Sequence, residues 1–266
     1  MKRVQQRSVV PARITVISGS GRYSDPWHPF AETSQRIAGI LQDAGHDVTV
    51  NDDVDARLAA LARDTDGRGD APTRRGATGP NIPVGTSSPA DGADLLVLNV
   101  GAPVIRDDSG EITGPWEDPD ADSASRRGLL TYLASGRPLL AFHVSSTSFG
   151  YMPEWESILG GLWARGTTMH PPYSRAQVEV ATDEHDIVAG IHDFEVDDER
   201  YTFMRVSPEV TQLAWHEHGG RHHPLLWAHE YGASRVVYDA LGHDAASYDT
   251  QEHRALVANA AAWLLR

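Results

Sequence analysis

Pro138-Leu-Leu-Ala-Phe-His143-Val-Ser-Ser-Thr-Ser-Phe149 runs from a proline through four apolar residues to a histidine, and then into small hydroxyl side chains. A short apolar run without alternation reads as a strand covered on both faces, the signature of a central parallel sheet. In open α/β sheets, ligands bind beyond the carboxyl ends of such strands. His143 stands where this strand releases the chain, so the remaining sequence is read as scaffold and partners for that strand end.

Outward from it, the same grammar repeats. Residues 14–17 (Ile-Thr-Val-Ile) form a first strand, followed by the glycine-rich turn Ser18-Gly-Ser-Gly-Arg22. That turn permits close backbone approach but carries neither a Walker lysine nor a full dinucleotide fingerprint. Apolar residues at helical spacing (Phe30, Ile37, Ile40, Leu41, Ala44) predict a helix over 30–44 that ends at Gly45, and 46–50 is a second strand. This is a β-α-β unit, with parallel strands and a right-handed crossover. A short helix is expected over 54–62, a third strand over 94–100 and a helix from Ser123 to about 135. Four β/α repeats predict an α/β fold, a three-layer α/β/α sandwich.

Residues 153–160 suggest a short helix. Beyond it, strand-like runs at 176–181, 194–196, 201–206, 211–216, 224–229 and 235–241 predict antiparallel strands added at a sheet edge, and 251–265 is a closing amphipathic helix. The reading is a loose tail over 1–12, then a single domain over 13–266. Residues 64–92, dense in Gly, Pro, Ser, Thr and Asp, read as a mobile insertion loop.

Composition narrows the function classes. The 266 residues carry a net charge of −14, which disfavours nucleic-acid binding. No apolar run approaches the ~20 residues of a membrane span, and no signal peptide is legible, so a cytoplasmic location is expected. There is no cysteine, which removes disulfides, thiolate ligands and a cysteine nucleophile together.

Thirteen histidines are present. His28, His143, His170, His229 and His243 each follow or border a predicted strand, and Asp198 and Glu199 join them. Histidine titrates near neutrality and is a good ligand for zinc and similar metals; a carboxylate beside it serves as ligand, base or orienting group. Each of these histidines has an equally ordinary reading as a hydrogen-bonded structural residue. The other eight (His46, His185, His192, His216, His218, His222, His223 and His253) are expected to be solvated.

Several short motifs then line up in order: Ile17-Ser-Gly-Ser-Gly-Arg-Tyr23, Ala141-Phe-His143, Trp155-x-x-Ile-Leu-Gly-Gly161, His170-Pro171, Val196-Asp-Asp-Glu-Arg-Tyr201, Trp227-x-His-Glu-Tyr-Gly232 and Leu241-Gly-His-Asp244. Together they resemble the ThuA-like (trehalose utilization) family over nearly the whole chain. The resemblance implies a flavodoxin-like sandwich similar to the class I glutamine amidotransferases, and a role in catabolism of trehalose-type disaccharides through keto-sugar intermediates. It departs from the family at the first loop, where Ser24 follows Tyr23 and the nearest histidine is His28, and in the 64–92 insertion. The amidotransferase nucleophile position reads Phe142-His-Val-Ser-Ser146, so glutamine hydrolysis by the cysteine route is excluded.

From the resemblance, His143, Glu199 and His243 are expected to act on a disaccharide or keto-sugar by proton transfer or hydrolysis. Arg22, Tyr23, His28, His170, Tyr201, His229 and Asp244 are expected around the substrate. A divalent metal such as zinc would draw on His28, His143, His170 and His243. The alternatives are a non-catalytic sugar-binding protein that works with a sugar dehydrogenase and, on fold analogy alone, a nucleotide-binding flavodoxin-like protein. No membrane partner is expected, and exposed edge strands suggest a homodimer.

Overall fold

The computed structural model describes residues 10–63, 92–107, 111–182 and 185–266. The expected N-terminal tail and the 64–92 insertion fall outside these residues, apart from 10–12 and 92.

A nine-stranded mixed sheet organises the chain. Its parallel half comprises β1 (Arg13–Ser18), β2 (Asp47–Asn51), β3 (Leu95–Asn99), β6 (Leu139–Phe142) and β13 (Ser234–Asp239), in the order β2-β1-β3-β6-β13. β3 and β6 are buried at every position, as their unbroken apolar runs require. The helices are α1 (Phe30–Asp43), α2 (Val54–Ala60), α3 (Pro119–Ala134), α4 (Trp155–Leu159) and α5 (Gln251–Leu264). The chain moves one way from β1 to β2 and the other way from β2 to β3. Right-handed crossovers therefore place α1 and α2 on opposite faces. α5 packs with α1, and α3 with α2, which completes the three layers. Gly128 of α3 lies so close to α2 that a Cβ there would sit 1.8 Å from the Leu58 carbonyl oxygen.

Beyond β13 the sheet turns antiparallel through β12 (Arg221–Tyr231), β11 (Thr211–His218), β8 (Ser174–Val180) and β9 (Phe194–Asp198). β13 was expected among the antiparallel additions, but its β6 side is parallel and places it inside the sheet. β11 carries two register irregularities, between Gln212 and Ala214 and between Ala214 and Trp215. Bulges of this kind sharpen the local twist. The end of β9, at the far edge of the sheet, meets the 3₁₀ turn Ala245–Asp249 that follows β13. The antiparallel half therefore curls back over the parallel strand ends.

Other boundaries shift for local reasons. α3 starts at Pro119 rather than Ser123, because the Asp118 side chain accepts from Ala121 N–H and proline is tolerated at the first helical position. The loop from 101 holds a small hairpin, β4 (Val104–Arg106) with β5 (Ile112–Pro115). The expected strand over 201–206 shrinks to β10 (Arg205–Val206), which pairs with β7 (Gly161–Leu162); Thr202 makes only an isolated bridge to Met169.

Candidate active site

Three parallel strand ends and one edge-strand end deliver the site. His143 follows β6 directly with φ of +40°, a left-handed conformation costly for a residue with a Cβ. This is a strand-to-helix elbow of the kind that exposes a reactive side chain above a sheet. The surroundings hold it there. Tyr238 Oη donates to the His143 carbonyl at 2.6 Å, His143 Nδ1–H donates to Ala240 O at 2.7 Å, and Tyr201 stacks on the ring at 4.3 Å. Nδ1 is thereby committed as a donor, and Nε2 is buried with no hydrogen-bond partner among the described residues.

His28 repeats the arrangement. Asp25 accepts backbone N–H bonds from Trp27 and His28, and His28 Nδ1–H donates to its carboxylate at 2.7 Å. Burial opposes charge on Asp25, but the His28 ring and those N–H groups hold its pKa below the usual range. His28 itself is pushed down by burial, against the pull of Asp25. Its Nε2 is again buried and unpartnered among the described residues. A carboxylate holding one ring nitrogen so that the other is presented as a base is the outer-sphere arrangement of a metal-binding histidine.

Glu199 and His243 arrive together because of Asp198. This fully buried carboxylate accepts from Glu199 N (2.8 Å), Gly242 N (2.7 Å), His243 N (3.1 Å) and Ser247 Oγ (2.5 Å). Four donors on one side chain tie the end of β9 to the loop after β13. Burial, its largest influence, pushes the Asp198 pKa up against those donors. Glu199 Oε2 then lies 3.2 Å from His243 Nδ1 and 3.7 Å from His143 Nε2. Burial disfavours its charge, yet the two imidazoles hold its pKa far below the carboxylate range. His243 is lowered by burial but raised on balance by Glu199.

The outcome is a compact donor set. One ligating atom from each of His28, His143, Glu199 and His243 lies within 4.8 Å of the others. Three imidazoles and a carboxylate suit zinc or a neighbouring first-row divalent cation. Three of the four expected metal histidines are thus brought together; His170 is displaced by Glu199. His170 sits at the edge, its Nδ1 3.6 Å from Glu199 Oε1. His170, Tyr201, His28 and Glu199 all line a cavity of about 730 Å³.

Four expected substrate-binding residues lie elsewhere. Arg22 is buried against Asp55 and Asp122, both at 2.7 Å, and Tyr23 Oη bonds Asp55 and Tyr151. They fasten the first loop to α2 and α3. His229 Nε2–H donates to Ile158 O, and the residue lines a second cavity of about 890 Å³ that shares Glu156 and Arg205 with the first. Asp244 accepts from Ala246 N and Tyr173 Oη, closing the turn after His243. Three histidines expected in solvent are buried: His216, His223 and His253. His253 bonds Asp239 at 3.0 Å and Ser247 Oγ at 2.9 Å, His223 bonds Phe203 N and the His218 carbonyl, and His216 bonds Thr202 through Nε2 while its Nδ1 has no partner among the described residues. Sequence reading missed Asp25. Its spacing of three residues before His28, an Asx-type turn, was the available signal.

A profile of the ThuA family, described as trehalose utilisation, matches residues 112–264. The chain belongs to the ThuA family. Solved structures agree with that assignment. A ThuA-like protein from Parabacteroides merdae superposes with a TM-score of 0.65 at 18% identity, over 96% of this chain and 90% of its own. A ThuA-like protein from Bacteroides uniformis gives 0.67 at 13%, over 99% and 95%. A glutamine amidotransferase from Thermotoga maritima gives 0.50 at 10%, over 97% and 100%. At these identities the likeness is one of fold, and it places this ThuA-family chain among class I glutamine amidotransferase-like architectures. No curated protein sequence matches the chain. Among the described residues, no helix is long and apolar enough to cross a membrane.

Proposed function

We propose that this ThuA-family protein is a metal-dependent enzyme of carbohydrate catabolism that acts on a keto-glycoside, a disaccharide or other keto-sugar derivative, by proton transfer next to the carbonyl. The observation that carries the proposal is the convergence of three buried imidazole nitrogens with Glu199 beside a cavity large enough for a small-molecule substrate, those of His28 and His143 having no hydrogen-bond partner among the described residues and that of His243 facing Glu199 at 3.2 Å. Such nitrogens are costly to bury without a partner, and a divalent cation satisfies all three at once. His28, His143, Glu199 and His243 would hold it, and when bound it supplies an electrophile for the carbonyl oxygen and the developing enolate.

The chain's own groups do the rest. Asp25 and the Ala240 carbonyl fix the two ring tautomers. Tyr201 covers the His143 ring and is itself packed against Trp163 at 4.7 Å, which gives the cluster an aromatic wall. His170, 37% exposed and beside Glu199, is the imidazole positioned to exchange a proton between substrate and solvent. Elemental analysis of the purified protein, followed by solvent-deuterium incorporation into 3-keto-trehalose, tests the proposal. Stoichiometric metal and exchange that His143→Ala abolishes are expected. Protein that binds no divalent cation, or exchange undiminished in His143→Ala, overturns it. Sugar binding without exchange would favour a binding protein instead.

A further inference from the structure

The cavity beside the cluster is not lined as a site for two polar sugar rings would be. Val144, Phe149 and Met152 reach it from the core, and Trp27 faces it from the first loop, Ile112 from β5 and Leu162 from β7. Trp27 is 52% exposed and Ile112 40%. The hydroxyl protons that a second sugar would need are already committed: Thr147 Oγ1 donates to Val144 O, and Ser148 Oγ to the carbonyls of Val100 and Gly101. Arg205 and Glu156 hold each other, with Nη2–Oε2 at 2.7 Å, and the Arg106 guanidinium lies over the Trp27 ring at 4.8 Å. Apart from the exposed Arg165, a second hexose would bury its hydroxyls against this wall with few partners, at a cost for each one left unmade.

We infer that the cavity beyond the ligand cluster is an aglycone subsite, and that the favoured substrates are glycosides of an apolar, aromatic alcohol rather than disaccharides. The inference rests on the keto-sugar reading for the reacting ring and concerns the other half of the substrate. The sugar sits at the His170–Glu199 end beside Trp163. The aglycone lies between Trp27 and Ile112 above Met152, where flat ring contacts and aliphatic surface reward an aryl group. The hairpin β4–β5 presents Ile112, so this small element outside the main sheet sets specificity.

Calorimetric binding of 4-nitrophenyl α-D-glucopyranoside and of trehalose to the full chain tests this without requiring turnover. The aryl glucoside should bind at least about tenfold more tightly, as burial of one aromatic ring in an apolar site supports. Ile112→Asp should weaken the aryl glucoside at least about fivefold more than trehalose; Trp27→Ala, on a separate loop, guards against a variant that fails to fold. Trehalose binding as tightly as the aryl glucoside, or variants that weaken both equally, overturns the inference. The two proposals fail separately. Aryl preference without metal or exchange retains the subsite and removes the chemistry, whereas exchange with no aryl preference does the reverse.

Discussion

Replacing Asp198 should cost both stability and the site, because a single buried carboxylate joins the two segments that carry Glu199 and His243. In Asp198→Ala, four donors lose their acceptor. Gly242 N–H and Ser247 Oγ are buried, while the half-buried Glu199 and His243 N–H groups are nearer to water. Two orphaned buried donors at about 1–3 kcal/mol each give a loss of about 2–6 kcal/mol, a large part of the ~5–15 kcal/mol that holds a typical domain. Asp198→Asn keeps the shape, but both oxygens of the native carboxylate are acceptors, and the amide nitrogen would face two donors; it should lie between wild type and alanine. Urea unfolding reads the stability difference as a shift in midpoint. Metal titration of the folded asparagine variant reads the site, with affinity expected to fall about 10–100-fold, as for other supporting residues of metal ligands. Asparagine and alanine variants with wild-type midpoints and metal affinity within twofold would refute the reasoning.

Asp25→Ala frees the His28 ring to rotate and change tautomer; metal affinity, measured by competition with a chromophoric chelator, should drop about 10–100-fold, with a urea midpoint lowered less than in Asp198→Ala because the donors it orphans are exposed or half-buried. Gly128→Ala drives a methyl into the Leu58 carbonyl and should destabilise at or above the upper end of about 1–3 kcal/mol, whereas Gly39→Ala in α1, which meets nothing within 4 Å, should stabilise by about 0.5–1 kcal/mol; thermal melts of the pair separate the two effects. His253 is pushed down by burial but raised on balance by Asp239. A raised folded pKa contributes stability that is fully present below the unfolded pKa of about 6.5 and is lost as pH rises through the folded value. The melting-temperature gap between wild type and His253→Gln should therefore narrow from pH 6 to pH 9, and a widening gap would show that the ring is buried neutral.

The central strands were legible because burial on both faces leaves an unbroken apolar run: Leu139 to Phe142 and Leu95 to Leu98 do not alternate, and their shortness and flanking residues favour strand over helix. His143 at a strand end followed from the same logic, since only the carboxyl edge of a parallel sheet opens to ligand. What pattern could not assign was which of thirteen histidines meet. His229 and His243 both border predicted strands, yet one serves the Ile158 carbonyl and the other the cluster. His253, on a helix face that looks polar in sequence, is buried against a carboxylate contributed by β13. Those outcomes depend on how far a bulged, twisting sheet curls, which is a sum over many strand contacts and leaves no local mark in the chain. Residue types and strand ends are properties of short stretches and can be read there. The convergence of His28, His143, Glu199 and His243, separated by up to 215 positions, exists only because packing brings the edge strand back over the parallel strand ends.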